Sequence, residues 1–356
     1  MDRSEGLPTG EEFASSVGTV KVLTLLVDFS DHPAREAARA RYQELVPATA
    51  RWYAASSYGR LRYRDTPVLK WWRMPRPFTA YHLERGLTFE EHRAFLQDLA
   101  DTVGHRIDFR GYEIVNVLAT RSAMPPSGAD ATSTFSAARP QDGVRTAGGA
   151  SLMNVVNIFG RDPAGFMTLV HETGHAFGLP DLYDAEDFDR TGQLTGPWDV
   201  MGVDGSPTPD FLAWHKWKLR WLDDRRIACV SRPGTSTHVL HPVGGHRATA
   251  VVVPGSPTGA FVLEARARRG LDRAGCAAGV LISWVDTGTD SGKGPISVYD
   301  AHPDTSCDRR GKDLYALSDA PYREGESLET TSGTRVTFTV LSAHRDGSYT
   351  VRVTRP

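Results

Sequence analysis

The residues best suited to chemistry lie in one short stretch, residues 171–175, with the sequence His-Glu-Thr-Gly-His. On a helix, His171 and His175 lie one turn apart on the same face, so both imidazoles can reach one metal ion. Glu172 lies beside them, where its carboxylate can contact a water on that metal. Two histidine ligands and a glutamate general base are the arrangement of a zinc peptidase.

The flanking residues predict where this helix begins and ends. Asp162 is a suitable N-cap and Pro163 suits the first helical position. Gly178 is expected to end the helix in the left-handed conformation, and Pro180 prevents it from resuming. The chain then turns back, which can bring Asp181 to the metal as a third ligand, with water in the fourth position.

Other interpretations of this stretch stay open at this point. The His-Glu-x-x-His pattern occurs by chance in roughly a few per cent of chains of this length, and its histidines are then ordinary core or surface residues. Gly178 and Asp181 at suitable offsets favour the metal site. Asp181 could instead cap the turn or hydrogen-bond to a residue next to a metal ligand. The rival third ligands are the carboxylates of Asp184, Asp187 and Glu264.

The chain has 356 residues, of which 40% are hydrophobic and 24% are charged, which suits one large or two ordinary globular domains. The net charge of −2 gives no indication of nucleic acid or an anionic membrane as a partner. No apolar run is long enough to span a membrane. Residues 1–19 are polar, so no signal peptide is predicted. The oligomeric state stays open, with a monomer as the expectation.

Strand and helix patterns alternate in the first half of the chain, which predicts a mixed sheet with helices packed on it. The expected elements are a strand at 20–29, a helix at 33–55 that Pro47 breaks or kinks, a strand or hairpin at 61–73, a helix at 88–103 opened by a capping box, and a strand at 112–119.

A long segment without periodicity, residues 121–150, follows these elements and is expected to be functional or disordered. Residues 151–159 then form a strand directly before the candidate metal helix. That strand is either an edge strand, to which a peptide substrate could add by β-pairing, or an ordinary internal strand.

Beyond Asp181 three further features stand out. An acidic segment could hold calcium or be a solvated loop; its members are Asp184, Glu186, Asp187 and Asp189. Met201 lies in a predicted tight turn 26 residues after His175, as a Met-turn beneath metal-binding histidines would. Residues 211–222 predict an apolar helix on which His215 is expected to be structural and not a ligand.

Short β-rich runs separated by turn signals fill the remainder of the chain and predict an antiparallel sandwich. We therefore expect an α+β protein with a catalytic domain at 1–225 and a β-rich region at 226–356. Three cysteines permit at most one intramolecular disulfide. Cys276 with Cys307 is the preferred pair because both flank the same β-rich region, and three buried free thiols are the alternative.

Several stretches together resemble the immune-inhibitor-A-like (thuringilysin-like) metallopeptidases of bacteria, which are metzincin-type zincins. The resemblance covers most of the chain in order, and only the metal stretch is specific by itself. The stretch at 171–184 also resembles the small snapalysin-type neutral proteases, which have an aspartate at the position of Asp181. The stretches that carry the main resemblance are residues 20–31, 56–63, 171–184, 198–202, 213–223, 261–272, 279–286 and 298–305.

The resemblance implies a metzincin-like catalytic domain and a secreted zinc endopeptidase that acts on proteins or peptides, is made as a zymogen and often binds calcium. It assigns His171 and His175 as zinc ligands, Glu172 as the catalytic base, Asp181 as the third ligand and Met201 as the Met-turn residue.

Two other classes of function compete with this hypothesis. An inactive binding module on a peptidase fold is expected to lack the catalytic base, whereas Glu172 is present. A structural zinc site usually has four protein ligands, often cysteines, and no cysteine lies near residues 171–175.

Overall fold

The computed structural model describes residues 3–83, 87–125, 132–161, 163–187, 190–206, 210–308, 314–330 and 334–356. The chain forms two compact units. The first contains residues 9–54 and 59–178, and the second contains residues 2–8, 55–58 and 179–356. The division after residue 178 differs from the boundary at 225 that the sequence suggests, because residues 179–225 are grouped with the β-rich region.

The first unit is built on a five-stranded mixed sheet with the strand order β2-β1-β3-β7-β4. Strands β2, β1, β3 and β7 are parallel, and β4 is antiparallel to β7. The bounds are β1 Gly18–Asp28, β2 Leu61–Arg73, β3 Ile114–Ala119, β4 Ser133–Ser136 and β7 Asn154–Ile158, with a small ribbon of β5 Val144–Arg145 and β6 Ser151–Leu152. The mixed sheet expected from the sequence is confirmed.

In the described part of the first unit, three α-helices accompany this sheet: α1 Ala38–Ser56, α2 Phe89–Val103 and α3 Phe166–Ala176. Helix α2 begins with the predicted capping box, in which Thr88 and Glu91 satisfy each other's backbone N–H groups. Helix α1 continues through Pro47. The aromatic core next to β1 includes Phe29, whose ring meets that of Phe78 edge-on at a centroid distance of 5.1 Å.

Three predictions about the first unit need correction. Strand β7 lies between β3 and β4, so the edge-strand interpretation of residues 151–159 is wrong and the internal-strand interpretation is confirmed. Strand β4 lies within the segment 121–150 that has no periodicity, of which residues 126–131 are outside the described part. Helix α3 begins at Phe166 with Gly165 as N-cap, because the φ of 63° at Gly165 delays the helix. Asp162 lies outside the described residues.

The second unit contains two β-sheets that share one apolar core. The first has the order β13-β12-β11-β10-β8 and the second has the order β14-β15-β16-β9. The rings of Phe261 and Phe338, one from each sheet, are 5.4 Å apart. The bounds are β8 Ile227–Cys229, β9 Gly234–Leu240, β10 Ala250–Pro254, β11 Gly259–Arg266, β12 Gly279–Asp286, β13 Ile296–Tyr299, β14 Ser327–Glu329, β15 Thr337–Ala343 and β16 Tyr349–Arg355.

The predicted sandwich is therefore present, and its strand pairs are antiparallel apart from β8 with β10. Its described residues also form two short α-helices, α4 Thr191–Leu194 and α5 Ala213–Lys218. Helix α5 is much shorter than the predicted 211–222 because Leu219 and Arg220 close it in a turn. Cys276 and Cys307 form the preferred disulfide, and Cys229 is free and exposed. Among the described residues, no helix is long and apolar enough to cross a bilayer.

Candidate metal centre

Helix α3 brings the three residues of the predicted motif together. His171, Glu172 and His175 form a buried group in which one ligand atom from each lies within 4.8 Å of the others. The two imidazole rings are 4.9 Å apart between centroids and nearly perpendicular. No second group of three such side chains is found in the described part of the chain. The two imidazoles are donors that Zn²⁺ prefers, and the carboxylate beside them suits a general base, so the residues fit a site for this ion.

Hydrogen bonds from helix α1 hold helix α3 in place. The hydroxyl of Tyr53 donates to the carbonyl of Val170 at 2.7 Å, one residue before His171. The hydroxyl of Thr49 donates to the carbonyl of Phe166 at 3.3 Å, in the first turn of α3. These contacts attach both ends of the segment before the motif to one neighbouring helix, which limits how far His171 can move.

Strand β4 positions the predicted base. The hydroxyl of Thr134 lies 2.8 Å from Oε2 of Glu172 and 2.7 Å from the backbone carbonyl oxygen of the same residue. Glu172 is 6% exposed, so its carboxylate has few rotamers open to it. Sequence reasoning missed Thr134, because it lies in the segment without periodicity. The only local signal was the β-prone Ser-Thr-Phe-Ser of residues 133–136.

The predicted end of the metal helix is confirmed. Phe177 is the C-cap, and Gly178 follows with a φ of 88°, the left-handed conformation that glycine adopts without steric penalty. A Cβ atom at Gly178 would also lie 2.8 Å from the ring of Phe13. Both observations require glycine here.

Asp181 and Met201 belong to the second unit. The backbone N–H of Asp181 donates to Oγ of Ser291 at 2.8 Å, and that hydroxyl donates to Oδ2 of Asp181 at 3.1 Å. Met201 is fully buried in a tight turn. Its backbone N–H donates to Oδ1 of Asp199 at 2.8 Å. The turn at Met201 is thus present, whereas the roles of Asp181 as third ligand and Met201 as Met-turn residue stay predictions.

Two of the three rival carboxylates, those of Asp184 and Glu264, have partners of their own. Asp184 accepts a hydrogen bond from Arg190 at 3.1 Å. Glu264 is 1% exposed and accepts one from Arg266 at 2.9 Å. Asp189 of the acidic segment lies outside the described residues, and calcium binding there stays a prediction.

His215 is buried between two carboxylates of the second unit. Its Nδ1 lies 2.8 Å from Oδ2 of Asp199, and its Nε2 lies 2.9 Å from Oε1 of Glu5. Burial lowers the pKa of His215, but the negative charges of Asp199 and Glu5 outweigh it and raise that pKa to about 10. The imidazole is therefore a charged centre between two acids, consistent with the predicted structural role.

This group supports a prediction about pH and stability. The folded-state pKa of His215 lies above the unfolded value of about 6.5, so its contribution is fully present below pH 6.5 and is lost as the pH rises through 10. Replacing Glu5 by glutamine removes one charge and lowers that pKa. We expect Glu5→Gln to reduce the free energy of unfolding at pH 7 by about 1–3 kcal/mol.

Denaturant unfolding of the wild type and Glu5→Gln between pH 5 and pH 10 checks this expectation. The difference should be smaller near pH 10, where the wild-type histidine also loses its proton. Glu329→Gln, at an exposed position of β14, is the matched control. A Glu5→Gln variant as stable as the wild type at every pH would contradict the prediction.

Comparison of the chain with protein-family models and with curated protein sequences finds no match.

Proposed function

We propose that the protein is a zinc-dependent endopeptidase of the metzincin type, acting outside the cell. The observation that carries the proposal is the buried group of His171, Glu172 and His175 on one helix, with Glu172 held by Thr134. Two imidazoles on adjacent turns with a glutamate between them suit a hydrolytic zinc site. The secreted state, the metzincin type and any bound calcium rest on the family resemblance.

In the proposed reaction, different residues bind the metal ion, transfer the proton and orient the base. His171 and His175 would hold the ion, with Asp181 as the proposed third ligand. A bound zinc ion lowers the pKa of water to about 7 and polarises a carbonyl group. Glu172 takes the proton of the attacking water and passes it to the leaving amine. The hydroxyl of Thr134 orients the carboxylate of Glu172 while this proton moves.

The position of β4 supports a peptide as the substrate. Strand β4 is the end strand of its sheet, and among the described residues no further strand pairs with it. An extended peptide can add to such an edge through backbone hydrogen bonds. Because Thr134 of β4 touches Glu172, a peptide paired with β4 would run past the proposed base.

Hydrolysis of casein by the purified protein tests the proposal. We expect cleavage that a chelator abolishes and that added Zn²⁺ restores. Intact casein after prolonged incubation with zinc-loaded protein would contradict the proposed activity. Retention of zinc in that inactive protein would favour a metal-bound binding module instead.

A separate prediction concerns the third ligand. If Asp181 coordinates the ion, Asp181→Ala should weaken zinc binding by more than the roughly 10–100-fold typical of residues that only hydrogen-bond a ligand. Ser291→Ala is the matched control, because it removes the hydrogen-bond partner of Asp181 and keeps the carboxylate. Zinc affinity is measured by competition with a chromophoric chelator. Equal affinities of Asp181→Ala and the wild type would remove Asp181 from the ligand set.

A further inference from the structure

Residues 3–6, called the anchor segment below, are bound by helix α5 of the second unit. The indole N–H of Trp214 donates to the backbone carbonyl of Glu5 at 3.2 Å. The ammonium group of Lys218 donates to the carbonyls of the residues on either side of Glu5, at 2.5 Å and 2.7 Å. Trp214 and Lys218 are four residues apart and so lie on the same face of the helix. One face of α5 thus binds three consecutive carbonyls of the anchor segment.

The anchor segment also contacts the turn at residues 290–293, in the same unit. Ser4 forms an isolated antiparallel bridge with Asp290. The backbone N–H of Ser291 donates to the carbonyl of Arg3 at 3.1 Å. The backbone of the turn is therefore attached to a segment that α5 itself holds in place.

The same turn holds Asp181, the proposed third ligand. Oγ of Ser291 accepts a hydrogen bond from the N–H of Asp181 and donates one to its Oδ2, as described above. The N–H of Gly292 donates to the carbonyl of Asp181 at 3.1 Å, and the carbonyl of Gly292 accepts from the N–H of Ala185 at 2.8 Å. Ser291 thus contacts the anchor segment through its backbone and Asp181 through its side chain.

A second route leads from the anchor segment to the turn at Met201. The buried carboxylate of Glu5 contacts His215, which in turn contacts Asp199. Oδ1 of Asp199 accepts the hydrogen bond from the N–H of Met201. The two routes meet, because the N–H of Leu182 donates to the carbonyl of Met201 at 3.0 Å. The anchor segment therefore supports both second-unit residues that the sequence assigns to the metal centre.

We propose that the anchor segment positions Asp181, whose carboxylate is in place for zinc only while residues 3–6 are bound to α5. This inference rests on the proposed function, since it gives that carboxylate the role of third ligand. The turn needs such an anchor because Gly292 and Gly294 have φ values of 73° and 67°, and glycine readily populates several backbone conformations. The residues of the anchor segment are positioning residues and not catalytic ones.

Two variants of α5 weaken the anchor without touching the turn or Asp181. Lys218→Met removes both hydrogen bonds of the ammonium group and keeps an apolar stem of similar length. Trp214→Phe removes only the indole N–H and is the milder change. Trp217→Phe is the matched control, because it removes an indole hydrogen bond from the same helix, that to Asp224 at 2.8 Å. If Lys218→Met does not fold, Trp214→Phe is read against this control.

Hydrogen exchange of the zinc-free proteins, followed by mass spectrometry, tests the proposal. We expect the amides of Ala185 and Gly292 to exchange about tenfold faster in Lys218→Met and about threefold faster in Trp214→Phe than in the wild type. Peptides from β11 and β12 should exchange at the wild-type rate in every variant. Wild-type exchange of Ala185 and Gly292 in the variants would overturn the proposal. An equal increase throughout the second unit would also overturn it, since the variants would then only have lowered the overall stability.

Zinc affinity, measured by competition with a chromophoric chelator, separates this proposal from the proposed function. We expect an approximately tenfold weaker affinity in Lys218→Met, the size of effect usual for residues that position a ligand, and wild-type affinity in Trp217→Phe. Faster exchange of Ala185 and Gly292 with unchanged zinc affinity would support the anchor and remove Asp181 from the ligand set. The exchange experiment does not depend on cleavage, so faster local exchange in a protein that leaves casein intact would still support the anchor.

Discussion

Glu172→Gln should retain zinc and lose hydrolysis, with kcat/KM reduced by about 10²–10⁴-fold, the usual contribution of a positioned general base. Glutamine has the shape of glutamate but cannot take a proton from water. Its side chain can still hydrogen-bond to the hydroxyl of Thr134, which lies 2.8 Å from Oε2 of Glu172. Only the proton transfer is therefore removed, and the fold and the histidines are left as they are.

Steady-state cleavage of a fluorogenic peptide, with zinc content measured by elemental analysis of the same sample, checks this expectation. Glu90→Gln is the control, since its exposed side chain lies on helix α2. Activity of Glu172→Gln within about tenfold of the wild type would show that another group acts as the base. Loss of zinc together with activity would instead make Glu172 a ligand, contrary to the proposed mechanism.

Features fixed by neighbouring residues could be predicted from the sequence. The capping box of Thr88 and Glu91 depends on four consecutive residues, and it opens helix α2 where expected. The termination of α3 just before Gly178 depends on the unique conformational freedom of glycine. The convergence of His171 and His175 follows from the period of the helix alone. Each of these features is decided within about one helical turn.

Features that depend on distant residues could not be predicted in this way. The order of strands in a sheet is set by packing over the whole unit, so the position of β7 inside the sheet was not decided by its apolar sequence. Thr134 contacts Glu172 across 38 residues, and Glu5 contacts His215 across 210 residues. The residues next to a threonine or a glutamate in the sequence do not indicate that its side chain makes such a contact.

The start of helix α3 shows why even a local pattern can fail. The sequence favours Asp162 and Pro163 as the beginning, because both suit a first turn. Gly165 lies between these residues and Phe166, where the helix begins, and its backbone φ is positive. A glycine three residues beyond a plausible cap can thus delay a helix without changing the register of the histidines that follow.

His171→Ala and His175→Ala should each abolish stoichiometric zinc binding and, with it, hydrolysis. Each variant leaves one imidazole on α3, and a single imidazole with a carboxylate is an incomplete site for Zn²⁺. The helix should persist, because Tyr53 and Thr49 still donate to the carbonyls of Val170 and Phe166. We therefore expect far-UV circular dichroism close to that of the wild type, and zinc content below about a tenth of the wild-type value after dialysis.

The control for both variants is His105→Ala, because His105 is an exposed histidine in the turn after α2. It should keep wild-type zinc content and activity. Elemental analysis of all three proteins after the same dialysis gives the comparison. Stoichiometric zinc in both His171→Ala and His175→Ala would place the metal elsewhere in the chain.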